Sequence, residues 1–101
     1  MAQVLDVNLD IEEMKVQVEN GKTASSQTIA YESIQKIQFN REKVKKWFGS
    51  KTVESIRIYT KQSEEPLVLR SDKLKSSFSA AESYLRKVAL KNHVIVETHN
   101  E

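Results

Sequence analysis

Between Leu74 and Leu90 the chain reads LKSSFSAAESYLRKVAL, its best candidate for an amphipathic helix. Leu74, Phe78, Ala81, Leu85 and Val88 recur at steps of four, three, four and three residues, which sets them on one face of a 3.6-residue period. A face of that kind has to be covered. Full burial of Leu74, Phe78, Leu85 and Val88 at roughly 1.5–3 kcal/mol each would supply about 6–12 kcal/mol before entropy is subtracted. Most of the remaining chain has the pattern of strands, so the expected partner of this helix is a sheet.

A length of 101 residues suits one domain and is too short for two ordinary ones, so residues 1–101 are read as a single α+β domain. Charged residues make up 30% and apolar residues 39%, the balance of a water-soluble globular chain. No run approaches the roughly 18 apolar residues of a transmembrane helix, and MAQVLDVNLD lacks the basic start and apolar run of a leader. The expected location is cytoplasmic. The absence of cysteine removes disulfides, thiolate nucleophiles and cysteine-rich zinc sites.

Residues 4–11 alternate, with Leu5, Val7, Leu9 and Ile11 to one side and Asp6, Asn8 and Asp10 to the other, the period of a strand with one wet face. Met14, Val16 and Val18 resume the alternation, and Asn20-Gly21 predicts a tight hairpin turn. The following strand is polar from Thr23 to Thr28 before Ile29 and Tyr31, so it is expected either near an edge or to begin late. Tyr31 to Gly49 can be read in two ways. As a helix, Ile34, Ile37, Val44 and Phe48 share a face, but Arg41 interrupts the stripe and Phe39 falls off it. As a strand, Ile37 and Phe39 point inward, and the reading preferred here is a strand to about Asn40 followed by a basic loop or single turn.

Ile56 and Ile58 alternate with Ser55, Arg57 and Tyr59, KQSEEP makes a polar turn, and Leu67 to Leu69 complete a hairpin, with Pro66 harmless at the strand start. Ser71 and Asp72 offer a helix cap, or Ser76 or Ser77 if the helix begins later. Lys91 suits the helix C-terminus and Asn92 a left-handed stop. His93 to Thr98 holds a last strand, which pairs with its own sheet or with another copy.

In this order of hairpins and amphipathic helix, the chain resembles the bacterial pleckstrin-homology-like (PH-like) domains. Thr28 to Phe39, TIAYESIQKIQF, is similar to the segment in which one strand ends, a short turn carries an isoleucine, and the next strand starts with a basic residue and an isoleucine; Tyr31, Ile34 and Ile37 are the matching positions. The resemblance implies a mostly antiparallel open barrel of six to seven strands with one C-terminal helix packed on it. The family's seven strands precede the helix, whereas six candidates precede it here and Val94 to Val96 follows. The fold serves many functions, so the resemblance leaves function open.

The sharpest candidate site is the loop of Arg41, Lys43, Lys45, Lys46, Trp47, Phe48 and Lys51. Cations beside two aromatic rings can hold phosphates while the rings stack on a base or enter a lipid interface, and PH-like folds commonly carry ligand contacts on loops between early strands. The plainer expectation is that Trp47 and Phe48 fold back onto the core and the lysines form a solvated rim. Charge is also uneven along the chain: residues 1–20 carry five acids against Lys15, while residues 41–51 carry five cations against Glu42. These regions offset one another in space, or the basic one meets an outside anion.

Asp6, Asn8 and Asp10 have the spacing that opens an EF-hand, but Ile11 stands where its glycine belongs and Gln17 where its bidentate glutamate belongs, so no metal site is expected. His93 and His99 are expected at the surface. No G-x-S-x-G elbow is present, and two glycines, Gly21 and Gly49, cannot build a phosphate loop. The expectation is a non-catalytic interaction module without cofactor or small-molecule substrate. Its partner is a protein or a second copy, met through the Trp47-Phe48 loop or a sheet edge such as His93 to Thr98; the alternative is an anionic lipid or nucleic acid met through the basic loop.

Overall fold

The computed structural model of the chain describes residues 2–47 and 49–100. Its elements are β1 (Ala2–Leu9), β2 (Glu13–Asn20), β3 (Thr23–Ala30), a 3-10 turn (Tyr31–Ser33), β4 (Ile34–Lys46), β5 (Gly49–Thr60), β6 (Leu67–Arg70), α1 (Phe78–Asn92) and β7 (Ile95–Asn100). The seven strands form one sheet in the order β3-β2-β1-β6-β5-β4-β7, so β3 and β7 are its edges and it does not close.

Hairpins make the antiparallel pairs β1–β2, β2–β3, β4–β5 and β5–β6. Two pairings are parallel, β1 with β6 and β4 with β7. Parallel neighbours need a long connection: α1 carries the chain from β6 past β5 and β4 to β7, and β2 to β5 lie in the chain between β1 and β6. The sheet is therefore mixed, and the last strand pairs with its own sheet.

Local sequence explains most boundaries. Gly21 has φ +64 at the first of two residues between β2 and β3, where a type II′ hairpin turn requires a positive φ. In β1 the alternation is shifted by a bulge between Val4 and Asp6. Val4, not Leu5, is fully buried before it, and Val7 and Leu9 pack on the core after it. One extra residue reverses the parity of a strand. Ile11 lies beyond β1 and is 73% exposed, so it does not belong to the inward set.

The helix starts at Phe78 because Ser77 is its cap, accepting a hydrogen bond from the Ala80 N–H at 3.2 Å. Ser71 caps nothing in α1; its hydroxyl accepts from the Glu54 N–H in β5 instead. At the other end His93, not Asn92, takes the left-handed conformation, with φ 56. Ala81, Leu85, Val88 and Ala89 are buried against Val4, Met14, Val16, Ile37, Phe39, Ile56, Ile58 and Leu69. Leu74 and Phe78 are only partly buried, so full burial applies to Leu85 and Val88 and contributes about 3–6 kcal/mol.

Candidate functional site

The strand expected to about Asn40 is present but does not give way there to a basic loop: β4 runs thirteen residues to Lys46 and pairs with β5 down to Lys46–Gly49. On one side, β7 accompanies β4 only as far as Arg41–Asn100. On the other, β6 accompanies β5 only as far as Ser55–Arg70. The rungs Lys43–Thr52, Val44–Lys51, Lys45–Ser50 and Lys46–Gly49 thus continue as a two-stranded ribbon past the buried Val53. Four rungs at 3.3–3.4 Å per residue extend it by about 13 Å. Gly49, at φ +127, allows the backbone to reverse there.

Trp47 occupies the turn and is 93% exposed. The expectation that it folds back onto the core is overturned, because the strand pairing carries it away from the body rather than across it. Arg41 stands at the ribbon's base and is tied to Glu54 by a 3.0 Å ion pair. Lys43 and Lys51 are exposed on β4 and β5. Lys45 and Lys46 lie in β4 at the register positions opposite Ser50 and Gly49. Phe48 lies outside the described residues. Between Glu42 and Glu54 the sequence has four lysines and no acid, so the ribbon is a cationic arm tipped by an indole.

The acidic region lies at the opposite end of β4. The Tyr31 N–H donates to the Glu12 carbonyl at 3.1 Å, and the Tyr31 and Tyr84 hydroxyls both donate to the Asp10 carbonyl, at 2.6 and 2.8 Å. The β1–β2 turn is thereby pinned three residues before β4 begins. Twelve steps of strand, about 40 Å, separate that start from the end of β4. Basic arm and acidic turn therefore do not neutralise one another within one chain. The double acceptor role of the Asp10 carbonyl has no signal in the sequence, because a backbone atom receives hydroxyls from residues 21 and 74 positions away.

The edge strand β7 presents Ile95, 63% exposed, and Val96, 42% exposed. Beside them, Gln38 donates to Glu97 at 3.1 Å and Lys36 lies 3.4 Å from the same carboxylate. Those two partners, Gln38 first, hold the Glu97 carboxyl below its ordinary range. His99 is exposed and lies 3.7 Å from Glu97.

A second polar feature missed in the sequence is a groove of about 450 Å³ on the outer face of β5 and β6, between Arg57 and Arg70. Arg70 is held by Asp72 through two 3.0 Å hydrogen bonds, while the buried Nε of Arg57 has no partner. Alternation marks Arg57 as facing outward but cannot tell that Val53 and Val68 are buried beside it, at 4% and 6% exposed.

Among the described residues no group of three or more histidines and carboxylates is placed to hold a metal ion, and no helix is long and apolar enough to cross a membrane. The Asp6 and Asp10 carboxylates accept from the Val7 and Ile11 N–H groups next to them. No protein-family model, no curated protein and no solved structure matches this chain.

Proposed function

We propose that this chain is a non-catalytic protein-interaction module on a PH-like scaffold, with the β4–β5 ribbon as its contact arm and an acidic protein surface as its partner. The observation that carries this reading is Trp47, 93% exposed at the tip of a ribbon that, among the described residues, pairs with no other strand. A two-stranded ribbon alone is marginal in water, and an indole in water forgoes the burial that gives aromatic side chains most of their energetic weight. Both costs are recovered when the arm docks. Tryptophan is a leading interface anchor, and the four lysines select a partner of negative charge and speed its approach. The PH-like scaffold is supported by the hairpin order before α1; β7, after the helix, is a departure from it.

The lysine run also favours a second reading, in which the arm meets anionic lipid or nucleic acid. One titration separates them, because Trp47 is the sole tryptophan and its emission reports the tip directly. The expected result is a blue shift with a peptide of alternating glutamate and leucine, weakened by salt and absent in a Lys43→Glu/Lys51→Glu variant. A shift with phosphatidylserine vesicles or a single-stranded oligonucleotide, and none with the peptide, would transfer the function to the second reading. No shift with any of the three would show that the arm is not a contact.

A further inference from the structure

Resting on that reading, we infer that the arm's partner is a second copy of the chain, and that Trp47 of one copy seats against the acidic β1–β2 turn of the next. The seat is a concavity of about 330 Å³ lined by Ile11, Glu12, Glu13, Tyr31, Glu32 and Lys91, within the size range that holds small ligands. It has the two properties the arm lacks a match for. Its lip is apolar, since Ile11 is 73% exposed and offers an indole a surface to cover. Its lining is anionic: Glu12, Glu13 and Glu32 outnumber Lys91, against four lysines on the arm.

The seat is also built before anything enters it. The Asp10 N–H donates to the Glu13 carbonyl at 2.9 Å, closing the turn, and Tyr31 and Tyr84 fix it to the start of β4 and to α1 through the Asp10 carbonyl. A preformed surface spares the ordering entropy that binding otherwise costs. The arm cannot fill its own seat, because the two stand at opposite ends of β4, about 40 Å apart along the strand. Arm and seat are different surfaces, so each copy offers one of each. Such a head-to-tail contact leaves a free arm at one end and a free seat at the other, and assembly continues until a ring closes or concentration limits it.

The test is sedimentation equilibrium of the full chain at low and high salt. Wild type is expected to exceed its monomer mass of 11.6 kDa increasingly with concentration at low salt, and to return toward it at high salt. An arm variant, Trp47→Ala/Lys51→Glu, and a seat variant, Glu12→Lys/Glu32→Lys, are each expected to remain monomeric alone. Mixed, they should form a complex that stops at two chains, because one supplies the intact seat and the other the intact arm. Ile11→Ser, which keeps every charge, should weaken wild-type association at least tenfold; all these positions are exposed, and a melt close to wild type verifies folding.

If wild type associates but the two variants do not complement each other, the inference is overturned and another surface, such as the β7 edge, joins the copies. If wild type is monomeric at millimolar concentration, the inference is overturned as well. In either case the glutamate–leucine peptide decides what falls with it: a Trp47 shift on adding the peptide leaves the arm a protein contact with a foreign partner, and no shift removes both.

Discussion

Replacing Tyr31 by phenylalanine removes one hydroxyl and leaves the ring, so it isolates the bond that ties the acidic turn to β4. The hydroxyl donates to the Asp10 carbonyl at 2.6 Å from a residue only 2% exposed. A neutral hydrogen bond of this kind contributes about 0.5–1.5 kcal/mol net. The Asp10 carbonyl keeps the Tyr84 hydroxyl at 2.8 Å, so no acceptor is stranded and the cost at pH 7–8 should be about 1 kcal/mol. For a domain of this size that lowers Tm by about 4–8 °C. Alkali should then erase the difference. Burial, reinforced by the neighbouring Tyr84, pushes the Tyr31 phenol well above its ordinary pKa, whereas in the unfolded chain it ionises near 10. The folded-state value is raised, so the stabilisation linked to the neutral phenol is complete below about pH 10 and is lost as pH rises toward the folded-state value. At pH 11 the unfolded wild type gains about 1.4 kcal/mol from this one ionisation, which Tyr31→Phe cannot gain. Urea denaturation at pH 8 and pH 11 measures both. The wild type should lead by about 1 kcal/mol at pH 8 and lose that lead at pH 11, because all other titrating groups are common to the two proteins. A gap that stays constant or widens would refute the assignment of a buried, neutral Tyr31.

Two further outcomes separate body from arm. Leu85 is fully buried under the sheet, so Leu85→Ala should cost about 2–5 kcal/mol and Leu85→Asp should abolish the cooperative melt, while Leu90→Ala, at a site 83% exposed, should lie within about 0.5 kcal/mol of wild type. Gly49→Ala puts a side chain at φ +127, where it meets no heavy atom within 4 Å but strains the backbone by roughly 1–3 kcal/mol; hydrogen exchange should quicken at the ribbon amides of residues 43–52 while protection in β2 and α1 stays unchanged. An equal loss of protection in β2 would show that arm and body unfold together.

The parts of this fold that were legible in the sequence are those set by short-range periodicity. Leu85 and Val88 belong to a helix face whatever covers it, Gly21 marks the hairpin, and the polar run Thr23–Thr28 suits β3 to an edge. What could not be read depends on partners distant in sequence. Ser71 and Asp72 come first as caps on paper, with Ser76 or Ser77 for a later start, and the cap is Ser77, while Ser71 accepts from the Glu54 N–H and Asp72 from Arg70. The bulge after Val4 leaves no mark in an alternating run of apolar residues. The parallel pairing of β7 with β4 requires knowing where α1 returns the chain. The candidate site divides in the same way: its residues Arg41 to Lys51 were recognisable by type, but the projection of Trp47 was not. It follows from the β4–β5 pairing running on to Lys46–Gly49, past the last rung of β5 with β6 at Ser55–Arg70.

From Lys43–Thr52 to Lys46–Gly49 the rungs are held by the β4–β5 pairing, without the helix cover that protects Ile37, Ile56 and Ile58. Local opening free energy follows such coverage, so the ribbon belongs to the low-stability end of the molecule, whereas the seat at the β1–β2 turn is clamped by two tyrosines that also pack near one another, with ring centroids 6.4 Å apart. In the proposed contact a cationic arm held by one ladder would meet an acidic seat held by two tyrosines. In that contact, the arm's lysines would govern how fast two copies meet, and the fit of Trp47 against Ile11 how long they remain together. Salt should therefore act mainly on the association rate, and Ile11→Ser mainly on the dissociation rate.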